Sequence, residues 1–382
     1  MKKTLIALAA LAATSASFAQ ATISGNIGFS WQQSPVKQAD GSHIQGLSMN
    51  DGEIYLSATE DLGGGVSATA RGGFTMRGRG TAVMDRDATI TVIGGFGAIT
   101  AGSLRSCGSL VAVQSGVVTG TVYTANESNN YTPLDKCSIV DALVYTVPVG
   151  PVTLSATYGE FAAGVGYNIA AATGTAPEVK QSLDSKGNVN GITFTDVGAV
   201  YTGGPLMVGL NITTFSATTN KADGGSALLL PADGVIRTRL VGTYDAGVAK
   251  FGLGYQNKTG NFADQYVASV AVPMGNAVFG LDYTARAAQG VGDKGAAGAG
   301  AAYALGSARD GDKASSSVGL GVTYSFSKTL TLNASYITYT DAGANSKYAA
   351  ATYPGSYVGT NVAGTTPEQL DTEYRIRLMK AF

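Results

Sequence analysis

Apolar and polar residues alternate along most of the chain, with the period of two that is typical of a β-strand with one apolar face. The first such segment places Ile23 and Ile27 on one face and Ser24 on the other. The same alternation returns near residues 66–75 and 250–255. No helical period competes over comparable lengths, so the pattern predicts an all-β protein.

The connections between these strands have two sizes. Seven are short and mostly rich in Gly, Pro, Asp or Asn, at 61–65, 94–97, 148–151, 203–205, 245–248, 273–276 and 326–329. Longer connections lie between them, at 105–137, 161–191, 289–315 and 341–369. Short turns on one side and long loops on the other are typical of transmembrane antiparallel β-barrels, with periplasmic turns and extracellular loops.

The turns also predict the number of strands. Seven tight turns join strands in pairs, and the first and last strands must meet to remove the edges of the sheet, which predicts about sixteen strands. A secreted β-sandwich is the alternative, in which the apolar faces would pack between two sheets.

Charged residues help to separate these two architectures, because Arg or Lys on a lipid-facing surface costs about 2 to 4 kcal/mol at the bilayer midplane. The basic residues on the polar parity of their strands are Arg71, Arg237, Arg239, Lys250, Arg286, Arg375 and Arg377. Arg86 lies on the apolar parity, but at a loop end, where the cost is small. Tyrosines recur near the short turns, as in an aromatic girdle, although Tyr is also a good strand former. This pattern favours a lipid-facing exterior and a wet interior.

The first residues predict export from the cytoplasm. Lys2 and Lys3 precede an apolar run and the small-residue sequence that ends at Ala19, as in a cleaved signal peptide at 1–19. The predicted mature domain is therefore a single barrel at 20–382. The whole chain has a formal net charge of −1, and loss of two lysines makes it about −3, so no nucleic-acid partner is implied.

The last residues alternate up to the final aromatic residue. Tyr374, Ile376, Leu378 and Phe382 share one parity, while Arg375 and its polar neighbours take the other. A terminal Phe after such alternation resembles the signal that outer-membrane assembly machinery reads. An ordinary edge strand is the alternative.

Several runs resemble the general diffusion porins of Gram-negative bacteria, in the branch common among β-proteobacteria. They are Ile54–Gly63, Gly94–Gly102, Tyr201–Leu206, Tyr244–Lys250, Val272–Gly275 and Val322–Lys328. The resemblance implies a homotrimer among outer-membrane lipid, in which the third long loop folds into the lumen. The localisation that it implies is the Gram-negative outer membrane.

A barrel of about sixteen strands leaves an aqueous channel, so passive diffusion of ions and small hydrophilic solutes is the expected function. By the order of turns the third loop is 105–137, and its acidic residues are Glu127 and Asp135. The candidate wall residues opposite these acids are Arg71, Arg237, Arg239, Arg375 and Arg377, with Arg105 at the base of the loop. We expect basic residues to outnumber acidic ones on the lumen parity, which predicts mild anion selectivity. Alternatively, some of these arginines pair with acids such as Asp282 or Glu373.

Cys107 and Cys137 are the two cysteines of the chain. In an exported protein they can form a disulfide that holds the base of the third loop, or remain free thiols. They are too far from His43, the one histidine, to match a zinc spacing, so no metal is expected. No cofactor motif is present either.

Three rival functions remain open. An enzyme is disfavoured, because His43 has no assigned nucleophile or acid partner in the sequence. An adhesion or binding barrel would close its lumen and use its long loops, although the number of turns favours a pore. A solute-specific channel is the nearest alternative and would line one side of the lumen with aromatic residues.

Overall fold

The structure is a computed structural model. It describes residues 20–37, 42–76, 84–106, 109–118, 133–134, 138–161, 167–170, 178–181, 191–218, 234–259, 263–287, 314–341 and 369–382. The signal peptide predicted at 1–19 lies outside these residues and stays a prediction.

Most of the described residues form one large sheet. Its strands are β1 (Gln20–Lys37), β2 (His43–Gly63), β3 (Val66–Thr75), β4 (Met84–Gly94), β5 (Gly97–Ser106), β6 (Ser138–Val149), β7 (Val152–Phe161), β10 (Gly191–Gly203), β11 (Leu206–Thr218), β12 (Ile236–Asp245), β13 (Lys250–Lys258), β14 (Gln265–Met274), β15 (Ala277–Arg286), β16 (Ser315–Ser325), β17 (Leu330–Asp341), β18 (Gln369–Leu370) and β19 (Thr372–Ala381). A separate hairpin, β8 (Tyr167–Ala170) and β9 (Glu178–Gln181), lies between β7 and β10 in the chain. Helix α1 is the single turn Ser109–Ala112.

The sheet closes on itself as a barrel of sixteen antiparallel strands, in which β18 and β19 are two parts of the last strand. Each barrel strand pairs with the next barrel strand along the chain, so that β7 pairs with β10, and β19 returns to β1. All seven predicted turns join neighbouring strands. In the first, Gly63, Gly64 and Gly65 have φ values of 80°, 63° and 76°, which glycine adopts without steric cost. The predicted fold class is confirmed.

The two faces of the barrel differ as the alternation predicts. On the outer face, apolar side chains such as Ile23 and Leu253 are 66% and 65% exposed. On the inner face, polar side chains such as Gln256 and Thr284 are fully buried. An exterior of this kind is stable in lipid but not in water, because exposed apolar surface is unfavourable in water. No described helix is long and apolar enough to cross a membrane.

The first and last strands meet at a seam that includes the terminal residue. Gly25 and Phe382 exchange two backbone hydrogen bonds of 3.0 Å, which confirms the predicted partner of the final strand. Inside the barrel, Arg377 of β19 reaches across β1 and donates to Asp51 of β2 at 2.9 Å. A Cβ at Gly28 would lie 2.5 Å from the Asp51 carboxylate, so this glycine leaves room for the ion pair.

Candidate pore constriction

The start of the third loop lies inside the barrel. Helix α1 and residues 113–118 follow β5, yet they contact the inner wall formed by β12 to β17. Backbone groups of this segment bond to wall side chains: Ser115 donates its N–H to Asp282 at 2.8 Å, and the Val117 carbonyl accepts from Asn333 at 2.8 Å. The Val113 carbonyl accepts from the Ser269 hydroxyl. The described start of the third loop therefore lies in the lumen, as the family resemblance implied.

Glycines in the wall let the backbone of the loop approach closely. A Cβ at Gly252 would lie 2.0 Å from the Val113 carbonyl oxygen. A Cβ at Gly280 would lie 2.6 Å from the Cβ of Val117, and one at Gly319 would lie 2.3 Å from a methyl group of Val118. Because real Cβ atoms do not approach so closely, any side chain at these positions would displace the loop.

An apolar cluster anchors the same segment. It consists of Leu110, Val113 and Leu134 from the loop with Val241 and Val267 from the wall, all at most 6% exposed. Full burial of a Val or Leu side chain contributes about 1.5 to 3 kcal/mol. The loop is thus fixed to one side of an otherwise polar lumen by apolar packing together with the three hydrogen bonds.

The solvent-facing side of the described loop segment carries no charge. Ala112 and Gly116 are exposed, and Val111 and Ser115 are half-buried. The predicted constriction acids Glu127 and Asp135 lie outside the described residues, as do Cys107 and Cys137.

Three of the five candidate wall arginines are buried. Arg237, Arg239 and Arg375 are 8%, 5% and 5% exposed. Arg237 donates to Thr213 at 3.1 Å, with its guanidinium 5.1 Å from the centre of the Phe215 ring. Arg239 donates to Gln256. Packing inside the barrel, which a strand pattern does not reveal, therefore limits their contact with a passing solute.

On the last strand both candidate arginines lie close to acidic side chains, which was the alternative interpretation from the sequence. Arg375 lies 3.6 Å from Glu373 on the same strand, and Arg377 is paired with Asp51. Asp282, the other acid considered, accepts the Ser115 N–H. These charges are partly neutralised within the wall.

Arg105 has a different position. It shares the parity of Ile99 and Ala101 on β5, whose side chains are exposed on the outer face. Strand alternation therefore does not direct Arg105 into the lumen, although the residue stands at the end of β5 beside the third loop.

Arg71 is the candidate that faces open solvent inside the barrel. It lies on β3, halfway around the barrel from β13, and its side chain is exposed. The guanidinium carbon stacks 3.8 Å from the centre of the Tyr55 ring. The Tyr55 hydroxyl donates to a carboxylate oxygen of Glu53 at 3.2 Å. Sequence reasoning missed Tyr55 and Glu53, although both share the lumen parity of β2.

The expected excess of basic residues on the inner face is not present in the strands that the structure describes. Basic residues on that parity are Arg71, Arg237, Arg239, Lys250, Lys258, Arg286, Arg375 and Arg377. Acidic residues on the same parity are at least as numerous: Asp51, Glu53, Asp61, Asp87, Asp196, Asp245, Asp282, Asp341 and Glu373. The number of charges of each sign on the inner face therefore does not by itself predict anion selectivity.

His43, for which the sequence offered no assigned partner, contacts two other residues in the structure. Its Nδ1 lies 3.0 Å from the Ser34 carbonyl oxygen, and its Nε2 lies 3.6 Å from the Asp371 carboxylate. These contacts join the first hairpin to the start of the last strand. In the part of the chain that the structure describes, no three His, Cys, Asp or Glu side chains are grouped as a metal site.

A closed barrel with an apolar exterior, a polar inner wall and a loop folded into the lumen defines an outer-membrane channel barrel. A family model described as Gram-negative porin matches residues 5–344. The chain therefore belongs to the Gram-negative porin family, and this membership with the barrel fold places it in the Gram-negative outer membrane. No curated protein matches the sequence.

Solved porin structures are similar in fold. The anion-selective porin from Comamonas acidovorans aligns with a TM-score of 0.58 and 17% identity, over 95% of this chain and 100% of that one. A loop-deletion mutant of OmpT, an outer membrane protein of Vibrio cholerae, gives 0.56 and 12% identity, over 95% and 99%. A mutant of the porin from Rh. blastica gives 0.54 and 12% identity, over 95% and 100%. At these identities the likeness concerns the fold alone.

The close approach at Gly252 gives a direct test of how the loop is held. We expect Gly252→Ala to push Val113 from the wall and increase single-channel conductance in planar bilayers, because the loop narrows the lumen. Gly72→Ala is the matched control, since no heavy atom lies within 4 Å of a Cβ there. Equal conductance in the two variants would contradict the proposed seating of the loop.

Proposed function

We propose that this protein forms a water-filled channel for passive diffusion of ions and small hydrophilic solutes. The observation that carries the proposal is the exposure of Arg71, which lies on an inner face and yet is accessible to solvent. The described part of the third loop contacts β12 to β17, on the other side of the lumen. Water can therefore reach the wall at Arg71, as diffusion of hydrated solutes requires.

We further propose a mild anion preference. Arg71 places an exposed positive charge opposite an uncharged stretch of the loop, whereas Arg375 and Arg377 are paired with acids. A fixed charge in a narrow pore attracts ions of the opposite sign. The similar porin from Comamonas acidovorans is described as anion-selective, which agrees with this proposal without establishing it.

Planar-bilayer recordings test both proposals. We expect the current to rise in discrete steps. In a salt gradient, we expect the sign of the reversal potential to show that anions pass more readily than cations. Arg71→Gln should reduce that potential, because it removes the exposed charge. Arg105→Gln is the matched control on the outer parity of β5 and should leave it unchanged. Absence of conductance would favour an adhesion barrel, and a clear cation preference would refute the proposed selectivity.

We also propose a homotrimer that buries the outer face of β1 to β5. Among the residues that the structure describes, the exposed tyrosines lie on strands β6 to β17: Tyr145, Tyr158, Tyr201, Tyr244, Tyr255, Tyr266, Tyr283, Tyr324 and Tyr336. The described outer face of β2 to β5 has no exposed tyrosine and carries alanines, among them Ala70, Ala88 and Ala101, between larger aliphatic residues such as Leu56 and Ile90. Interfacial tyrosines mark lipid contact, and small side chains allow another subunit to approach closely.

A bulky substitution tests this surface. We expect Ala70→Trp to lower the temperature at which the detergent-solubilised oligomer dissociates on semi-native gels, because the indole would separate the subunits. Val208→Trp, on the outer face of β11, should have no such effect. If both variants dissociate like the unmodified protein, the interface lies elsewhere.

A disulfide between Cys107 and Cys137 is proposed from the register of the flanking strands. Ser106 and Ser138 are direct partners on β5 and β6. One further step in this register would oppose the two cysteines, and opposed antiparallel residues have Cα atoms about 4.5 to 5.5 Å apart, within the range of disulfides. Closing a loop of this length contributes about 3 to 4 kcal/mol in the chain-entropy description.

Thiol alkylation followed by mass spectrometry tests the bridge. We expect the unfolded but unreduced protein to take up no alkylating reagent and the reduced protein to take up two groups. Cys107→Ser should leave one reactive thiol at Cys137. Two reactive thiols without reductant would instead show that the loop base is not bridged.

The signal peptide at 1–19, the single domain at 20–382 and recognition of Phe382 by the outer-membrane assembly machinery remain predictions. No catalytic role is proposed.

A further inference from the structure

We propose that Arg71 and Tyr55 form a docking site for singly charged carboxylate solutes on the lumen wall. The inference rests on the proposed channel function and names a solute class for it. Arg71 and Tyr55 are called the stacked pair below.

The strand register places Tyr55 and Arg71 next to each other on the inner face. Tyr55 on β2 is the direct partner of Gly73 on β3, and Arg71 lies two residues before Gly73 on the same inner face. Because Gly73 has no side chain, the Tyr55 ring can lie flat along β3 beneath the diagonal neighbour Arg71. The ring is 8% exposed, while the guanidinium above it is exposed. The ring thus forms a buried base, and the cation forms the surface presented to solvent.

Stacking orients the guanidinium without occupying its donors. Its carbon lies 3.8 Å from the ring centre, as in a cation–π contact. The N–H donors of a guanidinium lie in its own plane, so contact with the ring face through the central carbon leaves them available to a ligand. Among the residues that the structure describes, no acidic side chain forms an ion pair with Arg71. By contrast, Arg375 and Arg377 have Glu373 and Asp51 as partners.

This geometry matches the chemistry of a carboxylate. An orientated guanidinium binds a carboxylate through two parallel N–H···O bonds, which a lysine ammonium cannot reproduce. Holding the arginine in one orientation before binding also lowers the entropic cost of docking.

Glu53 favours a single negative charge on the ligand. Its carboxylate accepts the Tyr55 hydroxyl at 3.2 Å, at the end of the ring over which Arg71 is stacked. A negative charge at that position repels anions approaching the guanidinium, and it repels a doubly charged phosphate more than a singly charged carboxylate. The stacked pair is therefore assigned to carboxylates.

Block of the chloride current in single channels tests this assignment, with benzoate as the probe at constant ionic strength. We expect benzoate to reduce the current of the unmodified channel in a saturable way. Arg71→Lys should raise the half-blocking concentration about tenfold, because the bidentate contact is lost while the charge remains. Tyr55→Leu should raise it about threefold, because the stacking is lost. Tyr55→Phe keeps the ring and should stay close to the unmodified channel.

The controls separate docking from simple charge attraction. Gly72→Ala, next to Arg71 but on the outer face, should be blocked like the unmodified channel. The proposal is overturned if Arg71→Lys is blocked as readily as the unmodified channel, if phosphate blocks at lower concentration than benzoate, or if an open channel shows no block at all. Absence of any current before benzoate is added would instead count against the channel function itself.

Discussion

Closure of the sheet is the constraint on which the rest of this structure depends. Inside a bilayer no water is present to satisfy backbone N–H and C=O groups, so a sheet must have no open edge. Here the edge is removed where Gly25 and Phe382 exchange hydrogen bonds. The ion pair between Arg377 and Asp51 ties the same seam from the inside, across β1. Because the closing strand also contributes to the inner wall, barrel assembly and pore lining involve the same residues.

The position of the third loop inside the barrel depends on this closure of the sheet. A barrel of sixteen strands encloses more space than its own side chains fill, and the third loop occupies part of that space. Apolar packing around Leu110 and Val113 would be unusual in a water-filled lumen, but glycines on the wall allow contact close enough to exclude water. The three hydrogen bonds then satisfy backbone groups that this packing would otherwise bury without partners. The result is a loop segment held against one side of the lumen.

The charges that a solute meets in the lumen depend on which charged side chains are exposed more than on how many of each sign are present. Acidic and basic residues are both common on the inner face, and buried charges require partners or strong hydrogen bonds. Arg375 and Arg377 meet that requirement through acids, and Arg239 through Gln256. Arg71 differs, because an aromatic ring supports it while its donors face solvent. A passing solute therefore meets few of the many charges in the wall, and Arg71 is one of them.

The sequence by itself determined the strands of the barrel, all seven turns and the pairing of the last strand with the first, but not the hairpin of β8 and β9 within the long connection at 161–191. These features depend on a period of two and on local turn chemistry, both of which are visible in the order of residues. It also assigned Arg71, Arg239 and Arg375 to the inner parity. Only the tertiary structure decided that Arg239 and Arg375 are buried while Arg71 is exposed, and that the loop is seated on Gly252 and its neighbours. Burial and close approach depend on residues far apart in the chain, and strand periodicity carries no information about them.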